Sequence, residues 1–308
     1  MKRTTLVAAL ATVMLLAACG DTKVAGNTSP ATTAAPTTVA AAATTTSTLP
    51  ELSRIVSLSP TATEMLFAIG AGGQVLAIDD QSNYPPEALK KPHDLSGFQP
   101  NVEAIAALKP DEVVIGDDSS GLSKQLDALG LKTWVGAAAT SFDGVYQQIE
   151  QLGAMTGHVA EAAALVLKMQ TEIAATIKDV PKPAKPLTYY HELDNTYYSV
   201  TGNTFIGQVY ALFGLQSIAD TQEVSSDYPQ LSAEAIISAN PDFIFLADGG
   251  FGESPASVAA RPGWGSLKAV TKGNVIVVDA DISSRWGPRI VDYVKAIAAA
   301  IAKAVGSG

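Results

Sequence analysis

The sequence NVEAIAALKPDEVVIGD, at residues 101–117, decides the fold because it returns as SAEAIISANPDFIFLAD at residues 232–248. Six of the seventeen aligned positions are identical, and the two copies start 131 residues apart. Each copy contains a polar capping residue, a helical stretch, a Pro-Asp break and a short apolar run typical of a strand. Two copies at this distance predict two similarly built lobes and not a short-period solenoid.

Short strand-like runs alternate with helical stretches around both copies. This alternation predicts an α/β fold whose mostly parallel sheets are covered by helices on both faces. The predicted strands lie at 54–58, 75–78, 113–115, 133–135, 187–190, 243–246 and 275–278. The predicted helices lie at 60–69, 102–108, 121–129, 204–213, 232–239 and 291–305.

The segment between the two α/β runs, at 141–180, has apolar residues near helical spacing and no proline before its end. It predicts one long rigid helix that bridges the lobes, although Gly153 and Gly157 could bend or split it. We therefore expect an N-terminal lobe at 51–140, a linking helix at 141–180 and a C-terminal lobe at 181–308. Two lobes joined in this way leave a cleft between them, which is a usual place for a small ligand.

The composition excludes several classes of protein. The chain has 308 residues, of which 47% are hydrophobic and 16% charged, so it has enough apolar material for a core. Its net charge of −10, without a basic run, argues against nucleic acid as a partner. A single cysteine excludes a disulfide framework and a cysteine-rich metal site.

The first fifty residues differ from the rest of the chain. Lys2 and Arg3 precede an apolar stretch at 6–18, and residues 1–18 are predicted to be a signal peptide because the stretch is too short to span about 30 Å of hydrocarbon. Small residues precede Cys19 in an arrangement that resembles the lipobox of bacterial lipoproteins, where this thiol is acylated. The alternative is an ordinary signal peptide with a chance cysteine. Residues 19–50, dominated by Thr, Ala and Pro, predict a disordered tether, so that the body is held at the outer face of the cell membrane by lipid alone.

Several motifs together resemble the cobalamin and iron-siderophore class of ABC-transporter substrate-binding proteins. They are RIVSLSP at 54–60, Thr63-Glu64, the Tyr84-Pro85 loop, Asn101-Val-Glu103 with Leu108-Lys-Pro-Asp111, and Gly287-Pro-Arg-Ile-Val-Asp292. The resemblance covers residues 53–305. It implies two α/β lobes bridged by a rigid helix, with a bulky ligand bound in the cleft. It also implies delivery of that ligand to a permease with its ATPase, and attachment to the membrane as a lipoprotein in Gram-positive cells and mycobacteria.

Two glutamates of the repeat, Glu103 and Glu234, match the docking residues of this class, which pair with arginines on the two permease subunits. A carboxylate in the first helical turn is also favoured by the helix dipole, so each glutamate could merely stabilise its own helix. Their presence in both copies favours docking.

The resemblance also assigns residues to the ligand. By motif position, the cleft loops contain three aromatic residues, Tyr84, Phe98 and Tyr228, and the segment before Pro288 contains Asp281, Arg285 and Trp286. Aromatic faces suit a large ring system, and Arg285 could meet an anionic group. Tyr84 and Tyr228, each followed by proline, could instead pack their own loops. With only three tryptophans in the chain, the ligand class stays open between a corrinoid, an iron–siderophore and haem.

An enzyme or a metal-ion receptor is the alternative function. The three histidines, His93, His158 and His191, show no metal-binding spacing, but His191 with Glu192 and Asp194 could ligate zinc or iron in a cleft. No serine nucleophile elbow or glycine-rich phosphate loop is present in the sequence. We therefore expect a monomeric binding protein without catalytic activity, resident metal or cofactor.

Overall fold

The computed structural model describes residues 53–183, 185–222 and 225–306 of the chain. The predicted signal peptide, Cys19 and the tether lie outside the described residues. The first lobe contains strands β1 (Ile55–Leu58), β2 (Val75–Ile78), β3 (Glu112–Ile115) and β4 (Lys132–Val135), with helices α1 (Pro60–Ala68), α2 (Val102–Ala107) and α3 (Leu122–Asp127). Two longer helices follow, α4 (Phe142–Thr156) and α5 (Val159–Asp179).

The second lobe repeats the strand plan. Its strands are β5 (Thr188–Glu192), β6 (Gln216–Ser217), β7 (Phe243–Leu246) and β8 (Val275–Val277). Its helices are α6 (Phe205–Ala211), α7 (Ala233–Ala239), α8 (Pro255–Ala260), α9 (Lys268–Thr271), α10 (Ala280–Ser284) and α11 (Ile290–Gly306).

The two sheets have the same topology. Their strand orders are β2-β1-β3-β4 and β6-β5-β7-β8, and the strands of both sheets pair in parallel. The α/β fold of two similar lobes with parallel sheets is therefore confirmed. Because the order doubles back at the first strand of each sheet, each lobe has a crevice at the carboxyl ends of its strands, where ligands of open α/β sheets bind.

Successive residues of the central strands belong to hydrophobic clusters on opposite faces of the sheet. Phe243 and Phe245 of β7 belong to a cluster that continues through α5 into the first lobe, whereas Ile244 and Leu246 pack on the outer face of the sheet. The same period of two applies to β1. The sheets are thus buried on both faces, which explains their nearly continuous apolar sequences.

The prediction of one continuous helix over 141–180 is wrong. The helix α4 ends at Gly157, which is in the left-handed region with φ of 77° and whose N–H donates to the carbonyl of Gly153. The chain then restarts as α5, which packs against α4. This packing is close because a Cβ on Gly153 would lie 2.4 Å from the Cβ of Ala162. Only α5 is a long connecting element, about 30 Å at ~1.5 Å per residue.

In each copy of the repeat, the same contact joins the Pro-Asp break after the helix to the start of the central strand. The residue before the Pro-Asp pair, Lys109 or Asn240, has positive φ, so the helix ends and the chain turns back toward the sheet. The aspartate then accepts a backbone hydrogen bond from the start of the central strand: Asp111 from Arg54 N at 2.7 Å, and Asp242 from Thr188 N at 3.1 Å. The identity of this aspartate in both copies therefore has a structural cause.

Loss of this contact is expected to destabilise each lobe. The variant Asp242→Ala, which also gives up the Thr188 hydroxyl, should lose about 1–2 kcal/mol of unfolding free energy, and the more exposed Asp111→Ala about 1 kcal/mol. Urea denaturation monitored by circular dichroism measures both. The control Asp127→Ala removes an exposed carboxylate at the end of α3 and should change little. Equal stability of all three variants would contradict the role of Asp111 and Asp242 in holding the helix break to the start of the central strand.

Candidate functional site

A cleft opens at the carboxyl ends of the strands of the first lobe, with a volume of about 680 Å³. Residues that directly follow β1, β2 and β3 line one side of it, among them Ser59, Asp79 and Asp117. The other side comes from α10 and the residues after it in the second lobe. We call this space the cleft.

The cleft brings together four of the six predicted ligand residues. Phe98, Asp281, Arg285 and Trp286 line it, and the ring of Phe98 is 81% exposed. Trp286 is held in place by its indole N–H, which donates to Gln148 Oε1 of α4 at 3.0 Å. The cleft is therefore lined by an exposed phenyl ring and a fixed indole, two aromatic surfaces of the kind that suit a ring-shaped ligand.

Tyr84 and Tyr228 are not among the residues that line the cleft. Tyr84 contributes to a separate pocket of about 460 Å³, where the guanidinium of Arg289 lies 4.2 Å from the centre of its ring. This cation–π contact supports the loop-packing alternative for Tyr84. Tyr228 is half-exposed in a loop of the second lobe, where its backbone N–H donates to Ser226 Oγ at 3.1 Å.

A buried carboxylate, Glu64 of α1, joins the two lobes. It accepts two hydrogen bonds from Arg289, at 2.9 and 2.6 Å, and a third from Arg285 at 3.1 Å. The hydrogen bonds to Glu64 raise the pKa of Arg289. Both arginines lie in the second lobe, so the pairs fix the position of α10 and α11 against the first lobe. We call these three residues the Glu64 network.

Both terminal nitrogens of the Arg285 guanidinium already have partners in the protein. Besides Glu64 it contacts Asn83 Oδ1 at 2.7 Å, Asp281 Oδ1 at 2.9 Å and the carbonyl of Gln81 at 3.2 Å. An anionic ligand group would have to compete with these partners. The predicted contact of Arg285 with an anion therefore stays a prediction, and the structure gives this residue a second task as a clamp between the lobes.

The Glu64 network and two acidic residues of the cleft, Asp79 and Asp117, were missed by the sequence reasoning, whereas the third, Asp281, was predicted. A lone glutamate between Thr63 and Met65 in an otherwise uncharged helix was the available signal, since a buried charge needs a partner. Asp79 is also buried at the cleft wall, and desolvation raises the pKa of its carboxyl despite hydrogen bonds from Ser82.

The strand ends of the second lobe form a further pocket of about 290 Å³ with acidic walls. Its lining is Leu193, Asp194, Asn195, Asp248, Phe251 and Glu253, and we call it the acidic pocket. Asp248 follows β7 at the position equivalent to Asp117 in the repeat. Its carboxyl is buried, and desolvation together with the charge of Glu192 raises its pKa to about 6.

The alternative of a metal site at His191 is wrong, because the structure does not bring its three predicted ligands together. The imidazole lies in the core of the second lobe, its Nδ1 is 2.8 Å from the hydroxyl of Tyr210, and burial lowers its pKa to about 3. Successive residues of a strand point to opposite faces, so Glu192 is on the other side, where Arg261 holds it. Among the described residues, no group of three or more His, Cys, Asp or Glu is suited to hold a metal ion.

The other two histidines lie away from the cleft. His93 is exposed with its Nδ1 2.9 Å from the carbonyl of Lys91, and His158 precedes α5 with its Nδ1 3.0 Å from the carbonyl of Thr156.

The two candidate docking glutamates occupy equivalent and exposed places. Glu103 and Glu234 lie in the first turns of α2 and α7, after the capping residues Asn101 and Ser232. In the part of the chain that the structure describes, neither carboxylate has a hydrogen bond or an ion pair, so both are available to a partner. No helix within the described ranges is long and apolar enough to span a bilayer.

Two parallel α/β lobes with one strand order, joined by a helix and sharing a cleft at the strand ends, define a two-lobed binding protein. The chain belongs to the periplasmic binding protein family, whose model matches residues 55–282.

Known proteins with related sequences cover most of the chain. The ABC transporter substrate-binding lipoprotein YvrC of Bacillus subtilis is 31% identical over 263 residues, which is 82% of this chain and 80% of that protein. A cobalamin-binding protein of Halobacterium salinarum is 34% identical over 251 residues, covering 79% of this chain and 67% of the relative. The crystal structure of the vitamin B12 binding protein BtuF of Vibrio cholerae superposes with a TM-score of 0.69 at 25% identity, over 82% of this chain and 98% of that one.

The buried carboxyl of Asp248 predicts a pH-dependent loss of stability. Its pKa in the folded protein, about 6, lies above the usual 3.8, so folding favours the protonated form. The contribution of this carboxyl to the free energy of unfolding is fully present below about pH 4 and is lost as the pH rises through about 6. Asp248→Asn should therefore be more stable than the wild type by roughly 1–3 kcal/mol at neutral pH and about equal at low pH.

Urea denaturation between about pH 4 and about pH 7 tests this expectation, with Asp127→Asn as the matched control. Glu192, Glu253 and Arg261 face Asp248 and are unchanged in both variants. Parallel stability profiles of wild type and Asp248→Asn over this range would contradict it.

Proposed function

We propose that this protein is the extracytoplasmic receptor of an ABC importer, which captures a bulky ring-shaped or chelate ligand and delivers it to a permease. The cleft carries the proposal, because it combines about 680 Å³ of space with Phe98 and Trp286 at the carboxyl edge of a parallel sheet. The family membership and the names of the curated relatives support it.

The ligand class we favour is a corrinoid, and an iron–siderophore or haem is the alternative. The Halobacterium relative is named for cobalamin and the Vibrio structure for vitamin B12. The ligand would be bound by Phe98 and Trp286, with Asp281 and Arg285 at its edge. Tyr84 and Tyr228 would be at most peripheral to it, because they lie outside the cleft. Binding would be stoichiometric and without turnover.

Attachment to the membrane is a separate proposal that rests on the sequence. A lipid on Cys19, with residues 19–50 as a tether, would hold the body at the outer face of the membrane. Relatedness to the lipoprotein YvrC supports this placement.

Ligand binding should quench the fluorescence of Trp286. A coloured corrinoid or ferric chelate absorbs the emission of a nearby indole, so titration of cyanocobalamin, haem and hydroxamate or catecholate siderophores should identify the class. Phe98→Ala should weaken binding by up to about tenfold, since one aromatic contact is worth about 0.5–1.5 kcal/mol beyond burial. Trp286→Phe should remove most of the quenching while the calorimetric affinity falls less.

Leu129→Ala is the matched control, because it also shortens an exposed apolar side chain. Leu129 precedes β4 and therefore lies at the amino ends of the strands, whereas the cleft lies at their carboxyl ends. Leu129→Ala should leave affinity unchanged. Absence of quenching and of a thermal shift with every member of the panel, together with a shift caused by a sugar or an amino acid, would overturn the proposed ligand class.

Docking on the permease should depend on the two repeat glutamates. The double variant Glu103→Lys, Glu234→Lys should abolish ligand uptake in cells, because arginines of the permease would face like charges. Ligand affinity of the purified protein should hardly change.

The control is Glu150→Lys, Glu161→Lys, which makes the same change of charge on exposed residues of α4 and α5. Uptake by this control should stay near the wild-type rate. Wild-type uptake by the docking variant would remove these glutamates from the interface.

A further inference from the structure

The acidic pocket lies at the place in the second lobe that corresponds to the cleft in the first. It is built by the residues that follow β5 and β7, the two central strands of the sheet. Asp248 and Asp117 are the same position of the repeat, at the carboxyl ends of β7 and β3. Phe251, 87% exposed, stands at the rim of the acidic pocket as Phe98 does at the cleft.

Asp248 has no hydrogen-bond partner for its carboxylate in the part of the chain that the structure describes. The residue is 3% exposed, and neither of its carboxylate oxygens receives a hydrogen bond from the described residues. By contrast, Asp117 accepts from the backbone N–H and the hydroxyl of Ser119. A buried carboxyl without a donor is costly, and such groups in folded proteins are few and often functional. Since Asp248 lines the acidic pocket, that pocket is where a donor can come from.

The described residues that line the acidic pocket offer hydrogen-bond acceptors and include no lysine or arginine. Its nearest guanidinium, Arg261, is held by Glu192 through two contacts of 2.6 Å and by Glu253 at 2.8 Å. The remaining carboxylate, Asp194, accepts from the backbone N–H of Thr196. A ligand carboxylate placed here would face several like charges, whereas an N–H group would find acceptors.

The cleft has the same character. Asp79, Asp117 and Asp281 line it, and the one arginine or lysine among its described lining residues, Arg285, is paired with Glu64 and Asp281. Both regions at the strand ends therefore favour a ligand that brings hydrogen-bond donors and little negative charge.

We propose that the acidic pocket is a second subsite of the ligand site, in which Asp248 accepts hydrogen bonds from neutral N–H donors of the ligand, of the primary carboxamide class. The receptor accordingly selects a ring whose edge carries amides over the same ring with carboxylates. This inference rests on the proposed function and specifies the periphery of the ligand.

Two corrinoids with the same ring test the selectivity. Dicyanocobinamide has amide side chains, and dicyanocobyrinic acid has carboxylates at the corresponding positions. Calorimetric titration of the wild-type protein should give at least about tenfold tighter binding of the amide form, the size expected when a buried acceptor loses its donor and meets a like charge.

Variants locate this selectivity at Asp248. Asp248→Asn keeps the shape but removes the charge and can donate as well as accept, so the preference for the amide form should fall by about tenfold. Asp248→Ala should weaken binding of dicyanocobinamide itself. Asp127→Asn, with the same loss of charge on an exposed residue of the first lobe, should keep the wild-type ratio.

Failure of the inference is distinguishable from failure of the proposed function. Equal binding of the two corrinoids by the wild type, or an unchanged ratio in Asp248→Asn, would overturn the subsite while leaving the receptor function intact. If neither corrinoid binds, the affinity of the bis-amide of ferric protoporphyrin is compared with that of ferric protoporphyrin itself. Tighter binding of the bis-amide would then support the subsite, and equal binding would overturn it. Binding of none of the four compounds would overturn the subsite, and the siderophore titrations of the ligand panel would then decide the receptor function.

Discussion

The cleft depends on one buried interaction, the Glu64 network. A carboxylate inside an apolar helix is tolerated only with well-placed partners, and Arg289 and Arg285 supply them from the other lobe. A hydrophobic replacement of similar volume could be as stable, so the value of the network is chiefly geometric. It fixes the carboxyl end of α10 against the first lobe, and α10 with the residues after it forms one wall of the cleft.

The rest of the architecture follows from a repeated unit. Each copy ends its helix with a residue of positive φ and ties its aspartate to the start of the central strand, so both lobes acquire the same strand order. Equal strand order places a crevice at the carboxyl edge of each sheet. The copies differ at their last position: Asp117 is bonded in an exposed turn, whereas Asp248 is buried and receives no hydrogen bond from the described residues.

The regular elements could be predicted from the sequence because short apolar runs and capping residues act locally. Strands such as β3 and β7 and the capped helices α2 and α7 were located closely. The single helix over 141–180 was wrong: the chain splits at Gly157, one of the two glycines at which the sequence allowed a bend or split. The apolar period continues across Gly157, so it does not reveal the reversal of the chain there. The partner of Glu64 could not be predicted, because the ion pair joins residues 225 positions apart. For the same reason the paired state of Arg285 was missed, and its role as a ligand residue was inferred from motif position alone.

The Glu64 network also limits how the cleft can open. A separation of the lobes that left Glu64 buried and unpaired would cost about 3–5 kcal/mol, so such a state would be populated to less than about 1%. The connecting helix α5 adds to this constraint, because it packs on α4 on one side and on α11 on the other. A motion that admits a ligand while keeping these ion pairs intact avoids this cost. When the range of closure is small, the free energy that distinguishes one ligand from another must come from the groups that line the site. In this protein those groups are aromatic rings and carboxylates, with each nearby arginine already engaged by an acidic partner.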